Sequence, residues 1–189
     1  MKKFAFFLML TPLTLFARFS AKDALMTAPA AAIGYINKTE RLDMADYLDA
    51  GLTDRSVRNR RNGQSRLTEL TDSTFVIENG EVQTITARLL AGKSDTLIAI
   101  IETLKTPAKD SKLTVYNKAW QPVSKAWREP TTKDWGKFSA KFLLTEYTLK
   151  GDTLTLTDRT AEWETEGAPK VKELKFRWDQ KSEKFKRLR

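Results

Sequence analysis

The chain has 189 residues, a formal charge of +9, and neither cysteine nor histidine. Disulfides, thiolate and imidazole metal ligands, and Ser-His-Asp or Cys-His catalysis are therefore excluded. The fold has to be held by a core, and the length suits one domain with a sizeable core.

The first segment differs from the rest. Met1-Lys-Lys3 is a short positive region, and Phe4 to Phe16 is an apolar run. That run is too short for a membrane span, which needs about 20 apolar residues. Small residues follow at Ala17, Ser20 and Ala21. The pattern is that of a secretory signal peptide. Residues 1–21 are read as the leader and 22–189 as a single domain, with no transmembrane segment in the mature chain. The cleavage site is open: cutting after Ala21 places Phe19 at the −3 position, and cutting after Ala17 places Leu15 there. No cysteine follows the leader, so a bacterial lipoprotein anchor is excluded. Removing Lys2, Lys3 and Arg18 leaves 30 basic against 24 acidic residues, a charge of +6. Such a surface favours anionic partners without naming one.

In the mature chain, Pro29 sits where proline is tolerated in a first helical turn, and a short helix is expected over Ala30–Ile36. Thr39 can cap a second helix from Glu40 to Ala50, with Gly51 as its stop. Leu42, Ala45, Leu48 and Leu52 recur at helical spacing, Met44 and Tyr47 widen that apolar face, and Asp43, Asp46 and Asp49 lie opposite as a solvated face. Thr53 to Arg66 is the most basic stretch, with Arg55, Arg58, Arg60, Arg61 and Arg66 around an Asn62-Gly63 turn. Arginine forks match phosphate and carboxylate groups. No aromatic residues are interleaved for base stacking, so nucleic acid is not the expected partner.

From Leu67 the periodicity becomes two. Ser73–Glu78 and Glu81–Leu90 flank Asn79-Gly80, a hairpin signal. Thr96 to Leu104 is apolar on both faces: Leu97, Ala99 and Ile101 on one, Ile98, Ile100 and Leu104 on the other. Such a strand belongs in a sheet covered on both sides, and the N-terminal helices can supply one cover. Leu113 and Val115 mark the next strand, and Trp120 and Val123 follow a turn. Trp127 and Trp135 lie in a long connection, where they either stack on a ligand or fold back onto the core. Strands are expected over Phe138–Leu149, Thr153–Thr160, Val171–Trp178 and about Phe185–Leu188. Leu154 and Leu156 should point inward, as should Leu174, Phe176 and Trp178. Asp95-Thr-Leu and Asp152-Thr-Leu each open a strand followed by a proline-bearing loop and a strand-turn-strand, a possible duplication.

The remaining chemistry is that of carboxylates. No phosphate-cradling glycine loop is present. Glu162, Glu164 and Glu166 share a face of an extended segment, but glycoside hydrolysis needs two carboxyls across a cleft. No cofactor and no metal site is expected.

Several short motifs carry a resemblance. They are the leader, an early helix with Met26, the run Arg41-Leu-Asp-Met-Ala-Asp-Tyr47, a Leu67-x-x-Leu70 step, and Ile100-x-x-Thr103-x-x-x-Pro107-Ala-x-Asp110-Ser111 continuing to Tyr116-Asn-x-x-Trp120. On these the chain resembles a family of exported proteins of unknown function from Bacteroidales bacteria. The resemblance implies the periplasm or cell surface of a Gram-negative bacterium. It implies no activity, cofactor or catalytic residue.

The expected fold is α+β, with two N-terminal helices packed on a mainly antiparallel, meandering sheet of about eight or nine strands. The expected role is a non-enzymatic binding module meeting an envelope protein or an anionic polymer. Its candidate contacts are Arg55, Arg58, Arg60, Arg61, Trp127 and Trp135. The rival is a carboxylate-dependent hydrolase acting on envelope glycans.

Overall fold

A computed structural model describes residues 19–105, 108–136, 140–163 and 172–188. The fold is α+β, and each of its two α-helices begins at a polar cap. Ser20 and Asp23 form a reciprocal capping box that opens α1, Ala21–Thr27. Asn37 and Glu40 do the same for α2, Lys38–Asp49, so the cap is Asn37 and the expected cap, Thr39, lies inside the first turn. The expected helix over Ala30–Ile36 is instead one 3-10 turn, Ala30–Ile33, and the true first helix lies upstream of it. α1 is the early helix with Met26 that the sequence motifs include, and it begins inside the segment read as the leader, at Ser20 and Ala21.

The inward face of α2 is rotated from the expected one. Met44 and Ala45 are buried as expected, and Tyr47 and Leu48 pack on the core, but Arg41 is buried beside them while Leu42, and Leu52 beyond the helix, are exposed. Arg41 explains the rotation. Its guanidinium donates to the Leu25 carbonyl at 3.2 Å, to Met26 at 3.1 Å and twice to Ile36, at 2.9 and 3.2 Å. Two of those carbonyls belong to the last turn of α1, where helical acceptors lack partners. A buried charge is thus satisfied by four hydrogen bonds, and the two helices are tied together.

Six strands follow in a plain antiparallel meander, with sheet order matching chain order. They are β1 Val57–Arg58, β2 Gln64–Leu70, β3 Thr74–Asn79, β4 Gln83–Ala91, β5 Thr96–Leu104 and β6 Asp110–Tyr116. Gly80 starts the β3–β4 turn with φ of +59°, so the Asn79-Gly80 hairpin is present, closed on the Asn79–Gln83 pair. A second sheet contains β7 Thr145–Lys150, β8 Thr153–Asp158, β9 Glu173–Asp179 and β10 Lys184–Arg187, again antiparallel, in the order β10-β9-β8-β7.

The expected single sheet is therefore corrected to two, and β5 gives the physical reason. Ile98 and Ile100 join Phe75, Ile77, Ile85 and Ala87 in a core under the helices. Leu97, Ala99 and Ile101 face the other way, into a second core with Leu154, Leu156, Leu174, Phe176 and Trp178. A strand apolar on both faces needs two covers, and the C-terminal strands supply the second one. Leu104, expected inside, is 52% exposed, because it lies beyond the reach of the helices.

The sheets meet at a corner where both have an edge. Tyr147 N–H donates to Ser111 Oγ at 3.0 Å, and Thr145 N–H donates to Asp110 Oδ1 at 3.2 Å. Side chains of β6 thus satisfy backbone donors of β7, and two sheet edges are covered at once. On the far side, Trp178 Nε1 donates to the Ala91 carbonyl at 2.7 Å, and Gln180 donates to Gly92 at 2.9 Å.

Strand lengths depart from the sequence reading in two places. The strand expected from Phe138 begins only at Thr145, and residues 137–139 lie outside those described. The segment Ala119–Val123 is a loop held to β6 by a single bridge, Tyr116 to Pro122. The first Asp-Thr-Leu unit therefore lacks the third strand that the second one has.

Prediction: Ile100→Ala should cost about 2–5 kcal/mol, the range for emptying a packed aliphatic site. Leu104→Ala, on the same face of the same strand but exposed, should stay within about 0.5 kcal/mol of the parent. Urea unfolding at pH 7 measures both, and equal losses would deny β5 its two-sided burial.

Candidate functional site

The basic segment Thr53–Arg66 is built on a buried polar chain. After α2, Gly51 N–H returns to the Leu48 carbonyl at 3.0 Å and ends the helix. Val57 is then buried under the helices, and Arg58 pairs across from Gln64. Asn59, 8% exposed, accepts from Arg61 N–H at 3.0 Å and from Gly63 N–H at 3.1 Å. Its amide donates to Ser65 Oγ at 2.9 Å, Ser65 donates to Asn79 Oδ1 at 2.7 Å, and Asn79 donates to Gln83 at 3.0 Å. Every member of this chain is hydrogen-bonded, which rigidifies the turn it holds. A second loop packs against that turn. Gly34, at φ +80°, passes so close to Asn79 that a Cβ there would lie 2.3 Å from its Nδ2. The neighbouring Tyr35 ring lies 4.1 Å below the Arg61 guanidinium.

Arg55, Arg58, Arg60 and Arg61 are all exposed. Among the described residues, Arg55, Arg58 and Arg60 make no ion pair and no side-chain hydrogen bond, and Arg61 touches only the Tyr35 ring. Arg66 differs, since it donates to Glu78 at 2.6 and 2.9 Å. A cleft of about 480 Å³ adjoins this segment, bounded by Asp54, Ser56, Gln64, Arg66, Glu78 and Lys105. A larger cleft, about 800 Å³, opens beside the start of α1 between Phe19, Asp72, Lys93 and Asp95.

The two tryptophans resolve differently from the arginines. Trp135 is 1% exposed and belongs to the second core. Trp127 is half-buried and meets Tyr147, Phe176 and Phe185 edge-on, with centroids 6.0, 5.0 and 5.8 Å away. Its indole N–H donates to Glu129 at 3.0 Å, and the Tyr147 hydroxyl donates to the same carboxylate. As a ligand-stacking position Trp135 is corrected, since its ring is enclosed in the core, while the half-buried Trp127 ring is packed edge-on against three aromatic neighbours. The exposed indole is Trp163, 58% accessible, with Phe142 at 51%. Neither was singled out in the sequence, because no periodicity marks a lone aromatic residue in a loop.

One carboxyl in each cleft is held in its ionised form. In the smaller one, the hydrogen bond from Arg66 holds Glu78 below its ordinary range. In the larger one, Lys118 and the Thr96 N–H do the same for Asp95. A glycosidase proton donor needs the opposite shift. Glu162 is exposed and paired with Arg159 at 2.8 Å, and Glu164 and Glu166 lie outside the described residues. More enclosed carboxyls are also kept ionised. Burial pushes Glu146 up, but Lys109 at 2.6 Å and Arg159 at 2.9 Å outweigh it. Burial likewise raises Asp158, and hydrogen bonds from Thr160 and Lys172 outweigh it. Asp43, Asp46 and Asp49 are exposed along α2, and among the described residues no cluster could hold a metal ion.

A profile of a family described as "Protein of unknown function (DUF3256)" matches residues 15–182. The chain belongs to the DUF3256 family. A solved structure of a domain of an uncharacterized protein from Porphyromonas gingivalis W83 is similar to it at a TM-score of 0.70. The two are 19% identical over 91% of this chain and 99% of that one, a likeness of fold. That source lies within the Bacteroidales, in agreement with the resemblance seen in the sequence motifs. No curated protein matches the DUF3256 chain.

Prediction: the Glu146 carboxyl is ionised more readily in the folded protein than at its ordinary value of 4.5. Its contribution is therefore present above about pH 4.5 and is lost as pH falls through the lower folded value. Glu146→Gln should flatten the loss of urea stability between pH 5 and pH 3. An unchanged acid limb would place the linkage elsewhere.

Proposed function

We propose that the protein is an exported binding module of the bacterial cell envelope. It meets an anionic polymer or an acidic envelope partner through Arg55, Arg58, Arg60 and Arg61. One observation carries this reading: exposed Arg60 and Arg61 without acidic partners stand on a turn held by buried Asn59, Ser65 and Asn79, with Arg58 in the strand that enters it and Arg55 just ahead. Surface cations are commonly neutralised by local carboxylates, as Arg159 and Arg187 are here. Leaving four unneutralised within seven residues, two of them on a hydrogen-bonded turn, raises the local positive potential. It also spares a ligand the entropy of ordering the loop. The leader-like N-terminus, the family resemblance and the net positive charge support an envelope location, in the periplasm or at the cell surface.

Prediction: the quadruple variant Arg55→Gln, Arg58→Gln, Arg60→Gln, Arg61→Gln should bind fluorescent polyphosphate about tenfold or more weakly than the parent, with a flatter salt dependence. Its circular dichroism should be unchanged, because all four side chains are exposed. Anisotropy titrations at low and physiological salt provide the measurement. Parent and variant binding with equal affinity would remove the arginine turn from the function.

A further inference from the structure

We propose, on the basis of the anion-binding reading above, that Tyr35 makes the arginine turn selective for phosphomonoesters, by holding the Arg61 guanidinium in place with its N–H donors free. The group bound is then a terminal phosphate, carried on an envelope glycan or on a lipid headgroup.

The basic segment Thr53–Arg66 contains no aromatic residue, and the fold brings one to it. Tyr35 has a φ of +64°, in the left-handed region that a bulky side chain rarely adopts. Its N–H donates to the Ala30 carbonyl at 2.6 Å, and its own carbonyl accepts from Arg60 N–H at 3.4 Å, so this backbone is tied to the arginine turn. Glycine or asparagine would hold the same conformation with less strain. The ring is 37% exposed and belongs to neither core, so core packing does not offset that strain. Strain of this kind gathers where a side chain is needed for binding. The contact the ring does make is with Arg61, whose guanidinium carbon lies 4.1 Å from the ring centroid.

Arg61 is thereby held from two sides, since its backbone N–H also donates to Asn59 Oδ1 at 3.0 Å. Among the described residues its guanidinium N–H groups have no hydrogen-bond partner. A guanidinium fork donates two parallel hydrogen bonds to one oxyanion. A carboxylate or a phosphodiester has two free oxygens, and one fork uses both. A phosphomonoester has three and carries nearly two charges at neutral pH, so an oxygen remains for a second guanidinium. Arg60 adjoins Arg61, and Arg58 and Arg55 precede them, all exposed. The third oxygen and the second charge are what this surplus of guanidinium suits.

The test displaces fluorescent polyphosphate from the full chain with glucose 6-phosphate, with its methyl diester and with glucuronate. Glucose 6-phosphate should act at a concentration about fivefold or more below either competitor. That advantage should shrink below about twofold in Arg61→Lys, which keeps the charge and loses the fork. It should shrink equally in Tyr35→Asn, which loses the ring at a φ that asparagine tolerates, and Tyr35→Phe should retain it. It should also grow from about pH 5 to about pH 7, as the phosphate takes its second charge, and the chain has no histidine to change charge in that range. Equal displacement by all three competitors, or a Tyr35→Asn variant with the parent's preference, overturns the proposal and leaves anion binding standing. A parent that does not bind polyphosphate overturns both. Co-sedimentation with phosphatidylcholine vesicles carrying phosphatidic acid, a monoester, or phosphatidylglycerol, a diester, separates the two sources. Binding to the first alone assigns a lipid headgroup, binding to neither alongside the expected displacement assigns a glycan phosphate, and equal binding to both contradicts the selectivity.

Discussion

The structure depends on one strand that has no solvent face. Along the middle of β5, Leu97 to Ile101 are all buried, and alternate residues enter different cores. An ordinary antiparallel strand shows one side to water, and a two-layer protein can be built on it. A strand apolar on both sides forces a third layer. The helices close one side of the six-stranded sheet, and the four-stranded sheet closes the other. The remaining features follow as ways of keeping those covers in place: Arg41 ties the helices to each other, and Ser111 and Asp110 join the two sheets at their edges.

This constraint was legible in the sequence, and its consequence was not. The split of Leu97, Ala99 and Ile101 from Ile98 and Ile100 reads directly from alternation, as do the inward residues of β8 and β9. The division into two sheets is not periodic information, because it depends on where a chain turns between strands. The Asn117–Leu144 connection carries no repeating pattern that shows the sheet has ended. α2 illustrates a second limit. Helical spacing favoured Leu42 for the interior, but the buried position belongs to Arg41, chosen by the unpaired carbonyls of Leu25, Met26 and Ile36. A hydropathy pattern cannot show carbonyls left unpaired by a neighbouring helix.

The candidate site divides along the same line. The arginines of residues 55–61 stand out by composition and are exposed, Arg58 in the short strand β1 and the others in the connections on either side of it. The side chains that hold that loop, Asn59, Ser65 and Asn79, are spread over three elements and converge only after folding. Trp127 and Trp135 show the reverse. Their loop position suggested a surface, yet the second core needed their area. Trp127 and Trp135 are thus committed to the second core, while the arginines at and before the β1–β2 turn stay exposed without acidic partners.

Native-state hydrogen exchange tests the central role of β5 most directly. If one strand serves both cores, the amides of Ile98 to Ile101 exchange only through global unfolding. Their free energies then equal that from urea denaturation and exceed those of the edge strand β10. If those amides exchange through a smaller opening that leaves either sheet intact, β5 is not shared between the two cores, and the three-layer account of this fold is wrong.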